Sequence, residues 1–150
     1  MNKLVPDNFE VPEILETEHY RLRMLTIHDV LKDYLAVISS TKQLINRFGD
    51  GGTWPKGLTI EQNLIDLGWH QKEFENRTSF AYTVVSLDDS EVLGCFYIYP
   101  SKSKEYCADI FLWYKESHIG EPKDEELFDH IRRWIDKDWP FKKVHYAGRK

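Results

Sequence analysis

The segment from Tyr114 to Ile135 has the outline of an anion-binding loop, because a strand pattern ends, a loop carries one glycine and a helical pattern begins. Free N–H groups and the positive end of the helix dipole favour an anion at a helix start, and glycine lets the backbone approach closely. The same stretch carries four carboxylates, at Glu121, Asp124, Glu125 and Glu126. Two interpretations stay open. The acids cap the helix and its first turn, or they act directly on a ligand.

Aromatic side chains in two other segments could bind a ligand. Trp54 stands in a glycine-rich loop, residues 48–57, and either contacts an acceptor molecule or packs the loop onto the core. Tyr97 and Tyr99 alternate with apolar residues, so both side chains are expected on one face of a strand. There they either line a cleft or serve as ordinary packing residues. Cys95 and Cys107 are expected to be small buried hydrophobes.

The composition excludes several classes of protein. The chain has 150 residues, 41% of them hydrophobic, which predicts a folded domain with a hydrophobic core. The net charge of −5 and the lack of a basic stripe argue against nucleic-acid binding. No apolar run is long enough to cross a membrane, and the N-terminus lacks the apolar centre of a signal peptide. The two cysteines form no CxxC pair and the six histidines no HxxxH pair, so we expect no metal site and a cytoplasmic location.

The N-terminal half reads as one strand followed by helices. Residues 1–18 are predicted to be an irregular lead-in, since prolines interrupt any regular element there. Alternation over residues 20–25 predicts a strand, and Thr26 can cap a helix after it. The apolar face of that helix is predicted to consist of Val30, Leu31, Tyr34, Leu35 and Ile38. A second short helix is predicted near residues 40–47, and a third of about 15 residues after Thr59.

The C-terminal half reads as three strands, a helix and a last strand. Residues 79–87 and 91–100 predict a hairpin, and residues 106–114 a third strand. A helix is predicted over about residues 124–137, and a final strand within 142–148. A strand–helix–strand unit implies a parallel pair at the end. The predicted class is α/β (α+β): one domain with a mixed, mostly antiparallel sheet, helices on both faces and the order β-α-α-β-β-β-α-β.

Two stretches resemble a known superfamily. The opening "ETEHYRLRMLTIHD" (Glu16–Asp29) is similar nearly throughout to the "ETERLRLRPLTPED" of ribosomal-protein acetyltransferases, and "DIFLWY" (Asp109–Tyr114) is similar to their "EIGYWV". With the element order, the chain resembles the GCN5-related N-acetyltransferases over about residues 15–147. The resemblance implies acetyl-coenzyme A in a V-shaped gap between the fourth and fifth predicted strands.

The resemblance also implies the residues of a cofactor site. The pantetheine arm would pair with the backbone of Leu112, Trp113 and Tyr114, and the pyrophosphate would lie on the following loop, at Ser117, His118, Ile119 and Gly120. The family pattern in this loop is Q/R-x-x-G-x-G/A. Aligned on Trp113 without a gap, its three defined positions fall on Ile119, Pro122 and Asp124. The signature is therefore lost, and Pro122 removes one N–H donor.

Two catalytic roles follow from the same resemblance. Asp109 matches an acidic strand position that some family members use to deprotonate the amine, and a general base is needed because an ammonium has no lone pair. The alternative is a strand aspartate that faces solvent or pairs with a neighbouring lysine. Family members often take the tyrosine that protonates the departing thiolate from a helix after the fifth strand. No residue of this chain matches that tyrosine by position, and Tyr146, on the last predicted strand, is a conjecture for the role.

Two functions remain open from the sequence. The first is an acetyl-CoA-dependent N-acyltransferase in which a small-molecule or peptide amine attacks the acetyl group directly. The second is a non-catalytic or repurposed domain of the same fold that binds another small molecule or a protein partner. An exposed edge at the last strand could also pair two copies into a homodimer.

Overall fold

The centre of the computed structural model, which describes residues 3–48 and 53–149, is a six-stranded sheet. The strands are β1 (Ile14–Glu16), β2 (Tyr20–Met24), β3 (Phe80–Ser86), β4 (Val92–Pro100), β5 (Ala108–Tyr114) and β6 (Val144–Tyr146). Their order across the sheet is their order along the chain, and every neighbouring pair is antiparallel except β5 and β6. The predicted mixed, mostly antiparallel sheet is confirmed. Residues 49–52 of the predicted glycine-rich loop lie outside the described residues.

The strand β1 corrects the prediction of an irregular lead-in over residues 1–18. Ile14–Glu16 pairs antiparallel with residues 21–23 of β2. The turn between them is closed by the N–H of Thr17, which donates to the carbonyl of Tyr20 at 2.9 Å. The prolines of this segment stand before the three paired residues and so do not interrupt the ladder.

The helices are α1 (Val30–Ser39), α2 (Thr41–Phe48), α3 (Ile60–Glu75) and α4 (Pro122–Asp138). A 3₁₀ turn, Ile27–Asp29, precedes α1, and Thr26 and Asp29 form a complete capping box there. Thr59 caps α3 by accepting the N–H of Gln62 at 3.1 Å. Within the described ranges, no helix combines the length and apolar character that crossing a bilayer requires.

The main core lies between α4 and one face of the sheet. The five apolar positions predicted for this helix, Leu127, Phe128, Ile131, Trp134 and Ile135, are all buried. They pack with alternate residues of the central strands, such as Tyr82, Phe96 and Ile110. The opposite face of the sheet packs on α1, α2 and α3, as Cys95 and Trp113 do with Val37 and Leu44. The alternation of side chains along each strand therefore sends neighbouring residues to two different layers.

The buried face of α1 differs from the predicted one. Leu31 and Leu35 are both 62% exposed, and Ile38 is 40% exposed. The buried residues of α1 are Asp33, Ala36 and Val37, and Ser40, which follows the helix, is buried as well. Small side chains let this helix approach the sheet closely, and a buried aspartate interrupts the apolar pattern by which the face would be recognised.

The edge strand β6 pairs with β5 over Ala108–Ile110 only. The N–H of Ala147 then donates to the carbonyl of Ile110 at 2.9 Å, while β5 continues to Tyr114. The two strands therefore part after Ile110, where the V-shaped gap was expected. A homodimer through the outer edge of β6 stays a prediction, which the mass in solution by light scattering would test.

Candidate functional site

A cavity of about 410 Å³ lies on the face of the sheet that packs against α1 and α3. Five aromatic side chains line it: Trp54, Trp69, Tyr97, Tyr99 and Phe111. The polar groups of its wall are Asp33 from α1 and Asn63, Asp66 and His70 from α3. A volume of this size and a wall that is mostly aromatic and aliphatic are typical of small-molecule sites.

The three residues predicted to bind a substrate are brought together in this cavity. Trp54 enters from the loop before α3, and Tyr97 and Tyr99 stand on β4. The two tyrosine rings are nearly parallel, with centroids 6.0 Å apart. The indole N–H of Trp113 donates to the hydroxyl of Tyr97 at 3.4 Å, and this hydrogen bond restrains the orientation of the tyrosine ring. All three predicted residues therefore line the cavity, the two tyrosines from the sheet and Trp54 from the loop, and their role in binding stays a prediction.

The carboxylate of Asp33 is buried at this cavity, with a residue exposure of 3%. The side-chain amide of Asn63 donates to its Oδ2 at 2.9 Å, and the thiol of Cys95 donates to its Oδ1 at 3.4 Å. Burial raises the pKa of Asp33 to about 6, although these two hydrogen bonds lower it. Burying an ionised carboxylate that lacks a positive partner costs free energy. Buried carboxylates with a raised pKa are frequent at functional sites.

His70 lies at the same cavity, on the next turn of α3 after Asp66. Its ring stands 5.3 Å from that of Tyr97, and its Nδ1 is buried without a hydrogen-bond partner among the described residues. Burial lowers the pKa of His70. The imidazole is therefore neutral at neutral pH and carries a lone pair that can accept a proton.

Asp109, the predicted base, lies beside the cavity and does not line it. Its cross-strand partner on β4 is Tyr99, which does line it. Across the parallel pair, Oδ1 of Asp109 is 3.4 Å from Nδ1 of His145. The sequence analysis did not pair these two residues, because their contact depends on the register between β5 and β6.

Tyr146, the predicted acid, faces the other layer of the protein. Its ring packs on Phe128 of α4, with centroids 5.2 Å apart. Its hydroxyl is buried without a hydrogen-bond partner among the described residues, and burial raises the pKa of the phenol to about 12. The structure thus brings Tyr146 neither to Asp109 nor to the cavity.

The loop after β5 holds the predicted cofactor residues. Ser117 is buried and donates its N–H to the carbonyl of Tyr114 at 3.2 Å, while the side chain of Ile119 is 43% exposed. The backbone turns through the left-handed region at Glu116 (φ 59°) and at Gly120 (φ 94°). Leu112 and Trp113 are buried at the end of β5 itself.

The N–H groups of this loop already serve carboxylates of the chain. The N–H of His118 donates to Oε2 of Glu121 at 2.6 Å, and that of Gly120 donates to Oδ2 of Asp124 at 3.2 Å. Asp124 in turn accepts two hydrogen bonds from Arg149, and both side chains are buried. With the signature glycines replaced as well, the residues of this loop do not fit a pyrophosphate.

Several functional candidates were missed from the sequence. Asn63, Asp66 and His70 stand three or four residues apart on α3, and Asp33 stands alone on α1. The sequence offered one signal for them, a polar residue among the apolar positions of a helix. Cys107 is exposed, so the expectation of a buried thiol holds for Cys95 alone. In residues 3–48 and 53–149, no group of three or more histidine, cysteine or acidic residues could hold a metal ion.

Solved structures share this fold at low sequence identity. The ribosomal-protein-S5-alanine acetyltransferase of Vibrio fischeri superposes with a TM-score of 0.65 and 13% identity, over 84% of this chain and 68% of that one. A ribosomal L7/L12 α-N-protein acetyltransferase in complex with coenzyme A gives 0.64 and 18%, over 84% and 70%. The microcin C7 self-immunity acetyltransferase, in complex with acetyl-CoA and AMP, gives 0.59 and 12%, over 80% and 64%. No protein-family model and no curated protein matches the sequence.

Proposed function

Because the chain has the fold of the GCN5-related N-acetyltransferases, we propose that it is an N-acyltransferase that transfers an acetyl group to an amine by direct attack. The observation that carries this proposal is the position of the cavity. It extends along β4 to Phe111 of β5, the residue before Leu112–Tyr114, where the strands part. An amine held there would stand next to the gap that holds the acyl donor in the family.

On the acceptor side, the work of the chain is to bind the amine and to remove a proton from it. Trp54, Tyr97 and Tyr99 would contact the amine's apolar part. The geometry favours His70 as the base, since it lines the cavity and its Nδ1 has no partner among the described residues. Asp109 is the second candidate, because it borders Tyr99 and can pass a proton to His145.

The acceptor is a small-molecule or peptide amine. The neighbours named above include acetyltransferases of ribosomal proteins, one of which acts on the α-amino group of L7/L12. A peptide N-terminus is therefore one amine to test, and a free small amine is the other. The cavity volume of about 410 Å³ favours a small amine or a single terminal residue.

The donor would be an acyl thioester, acetyl-CoA in the first instance, which supplies the acetyl group. Two structural neighbours were solved with coenzyme A or acetyl-CoA. We keep Leu112, Trp113 and Tyr114 as the candidates for its pantetheine arm. At Ser117, His118, Ile119 and Gly120, the N–H groups of Ser117, His118 and Gly120 would have to give up their present hydrogen bonds before the loop could accept the pyrophosphate.

A second candidate function is an amine-binding domain that transfers nothing. The hydrogen bonds from the loop to Glu121 and Asp124 favour it, because they occupy donors that a cofactor would need. Both functions require the cavity to bind an amine. Only the first requires a thioester to react.

The test is a thiol-release assay with acetyl-CoA and a panel of small amines and short peptides, run beside the same assay with acetyl-pantetheine. Acetyl transfer to at least one amine supports the acyltransferase. Similar transfer rates from acetyl-CoA and from acetyl-pantetheine would indicate that the loop does not bind the pyrophosphate. Calorimetry with each amine alone completes the test. Amine binding without thiol release from either donor would replace the first function by the second.

A further inference from the structure

We propose that the cavity is a site for a small organic cation with an aromatic or apolar body, and that Asp33 is the counter-charge of its ammonium group. The inference depends on the proposed function only for the ligand's part as acyl acceptor. Binding of the cation itself needs no donor and can be measured alone.

The charge of the cavity wall points to a cation. Asp33 and Asp66 line it, and no lysine or arginine does so among the described residues. The nearest polar partners of Asp33, Asn63 and Cys95, are neutral. A buried carboxylate that has hydrogen bonds and no positive partner in the described part of the chain is stabilised when a ligand brings the positive charge.

The aromatic side chains point the same way. Faces of tryptophan and tyrosine rings attract cations, and most strongly so in the case of tryptophan. Trp69 is 59% exposed on α3 at the cavity, and the ammonium of Lys72 lies 5.6 Å from its ring centroid. This ring thus already interacts with one cation. A large exposed aromatic beside a second tryptophan, Trp54, offers apolar contact to the body of a ligand.

The same wall discriminates against other ligands of equal size. Two carboxylates would repel an anion, and a neutral molecule would leave Asp33 without a positive partner. The cavity volume of about 410 Å³ suits a compact molecule. The predicted class is therefore an amine or quaternary ammonium that carries one ring or a short apolar chain.

The experiment uses matched probes and isothermal titration calorimetry with the full chain. Phenethylamine carries the cation, phenethyl alcohol is its neutral counterpart and hydrocinnamate its anionic one. Near neutral pH we expect the amine to bind at least about tenfold more tightly than the alcohol, as is typical of a hydrogen bond to a charged group, and the acid to bind more weakly still. Equal binding of amine and alcohol, or no binding of the amine, would overturn the proposal.

Variants locate the charge. Asp33→Asn keeps the shape of the side chain and should abolish the preference for the amine, whereas Asp136→Asn makes the same charge change on the exposed side of α4 and should leave it intact. Trp69→Leu alters an exposed side chain, so it spares the fold and should weaken binding of the amine more than that of the alcohol. A preference that survives in Asp33→Asn and in Trp69→Leu contradicts the proposed site.

Phenyltrimethylammonium separates this inference from the function on which it rests. It is a permanent cation without an N–H, so it can bind and cannot be acylated. If it binds and inhibits thiol release, both the site and the acyltransferase are supported. If it binds and no amine is ever acylated, the cation site stands and the acyltransferase fails. If acylation proceeds while the cation neither binds nor inhibits, the cation site is wrong.

Discussion

The carboxylate of Asp124 accepts hydrogen bonds from both terminal nitrogens of Arg149, with N···O distances of 2.8 and 2.7 Å, at the first turn of α4. The same carboxylate accepts the N–H of Gly120 at 3.2 Å. An anion bound at a helix start would make these contacts with backbone donors and a cation. The chain's own carboxylate therefore occupies the position in which an anion would be bound.

Removal of the Asp124 carboxylate should increase the affinity of this helix start for an anion. In Asp124→Ala, Arg149 stays buried without its partner, so the free energy of unfolding should fall by about 3–5 kcal/mol. Inorganic phosphate should then raise the melting temperature of the variant more than that of the wild type, at ionic strength matched with chloride. Asp129→Ala, which breaks an exposed pair on the same helix, is the control and should cost less than about 1 kcal/mol. Equal phosphate shifts in all three proteins would show that Asp124 fills no anion position.

Asp33→Asn should make the protein more stable at neutral pH. The folded-state pKa of Asp33, about 6, lies above the ordinary value of 3.8, so the folded protein holds this proton more tightly than the unfolded chain does. The stability that protonation provides is complete below about pH 4 and is lost as pH rises through 6. Asparagine is neutral at every pH and avoids this loss, which amounts to about 3 kcal/mol for a shift of about two units.

Urea unfolding at about pH 8 and about pH 5 measures this effect. The free energy of unfolding of Asp33→Asn should exceed that of the wild type by the largest amount at the higher pH, and by less at the lower pH. Asp136→Asn should show no such trend, since its side chain is exposed. A variant that is less stable than wild type at pH 8 would mean that the ionised carboxylate has a positive partner in the folded chain.

The fold could be predicted largely from the sequence because several independent sequence signals agreed in most of the elements. For α4, the apolar spacing from Leu127 to Ile135 agreed with acidic residues at the helix start, and the helix is where it was expected. The strand β1 could not be predicted, because three residues are too few to show alternation, and β2 supplies their ladder.

The cavity could be predicted only on its strand side. Tyr97 and Tyr99 share a face by the geometry of any strand, whatever lies around them. The burial of Asp33 could not be predicted, because Leu31 and Leu35 form the more apolar face of α1 and that face was expected to be buried. In the structure this face is exposed, as a result of how the helix packs on the sheet. The partner of Asp33, Asn63, is 30 residues away in sequence and on another helix.

Tyr146→Phe separates a catalytic hydroxyl from a merely buried one. The hydroxyl has no hydrogen-bond partner among the described residues, so its removal should keep or raise the free energy of unfolding, by up to about 1–2 kcal/mol. We expect kcat for amine acylation to be unchanged, because the ring packs on Phe128 in the layer opposite the cavity. A loss of kcat by about a hundredfold with stability retained would restore Tyr146 as the acid.

The identity of the base can be decided by two conservative changes. His70→Gln should lower kcat/KM for amine acylation by about a hundredfold or more, since the imidazole that accepts the proton is lost. Asp109→Asn should lower it by less than about threefold, because Asp109 does not line the cavity. The dependence of kcat/KM on pH supports His70 as the base if the decrease of kcat/KM at low pH disappears in His70→Gln and persists in Asp109→Asn. The opposite ranking of the two variants would return the role to Asp109.

Cation binding should weaken as the cavity is acidified, because a bound cation requires Asp33 in its ionised form. The ionisable groups that act on this carboxylate are Cys95 from β4, Asp66 from α3 and Asp29, itself paired with Arg23, before α1. His70 and Tyr97 line the same cavity. Of these, the two acids raise the pKa of Asp33 and the hydrogen bond from Cys95 lowers it. His70, whose pKa is lowered, gains its charge only in acid and would then repel a cation as well.

Titration with phenyltrimethylammonium, whose own charge is constant, isolates this dependence. The affinity of the wild type should be constant above about pH 7 and should fall below about pH 6, by at most about tenfold per pH unit for one proton. In Asp33→Asn the affinity should be low throughout, with only the weaker decline in acid that His70 causes. In His70→Gln the fall near pH 6 should persist. A wild-type affinity that stays constant down to pH 5 would mean that the cation does not interact with Asp33.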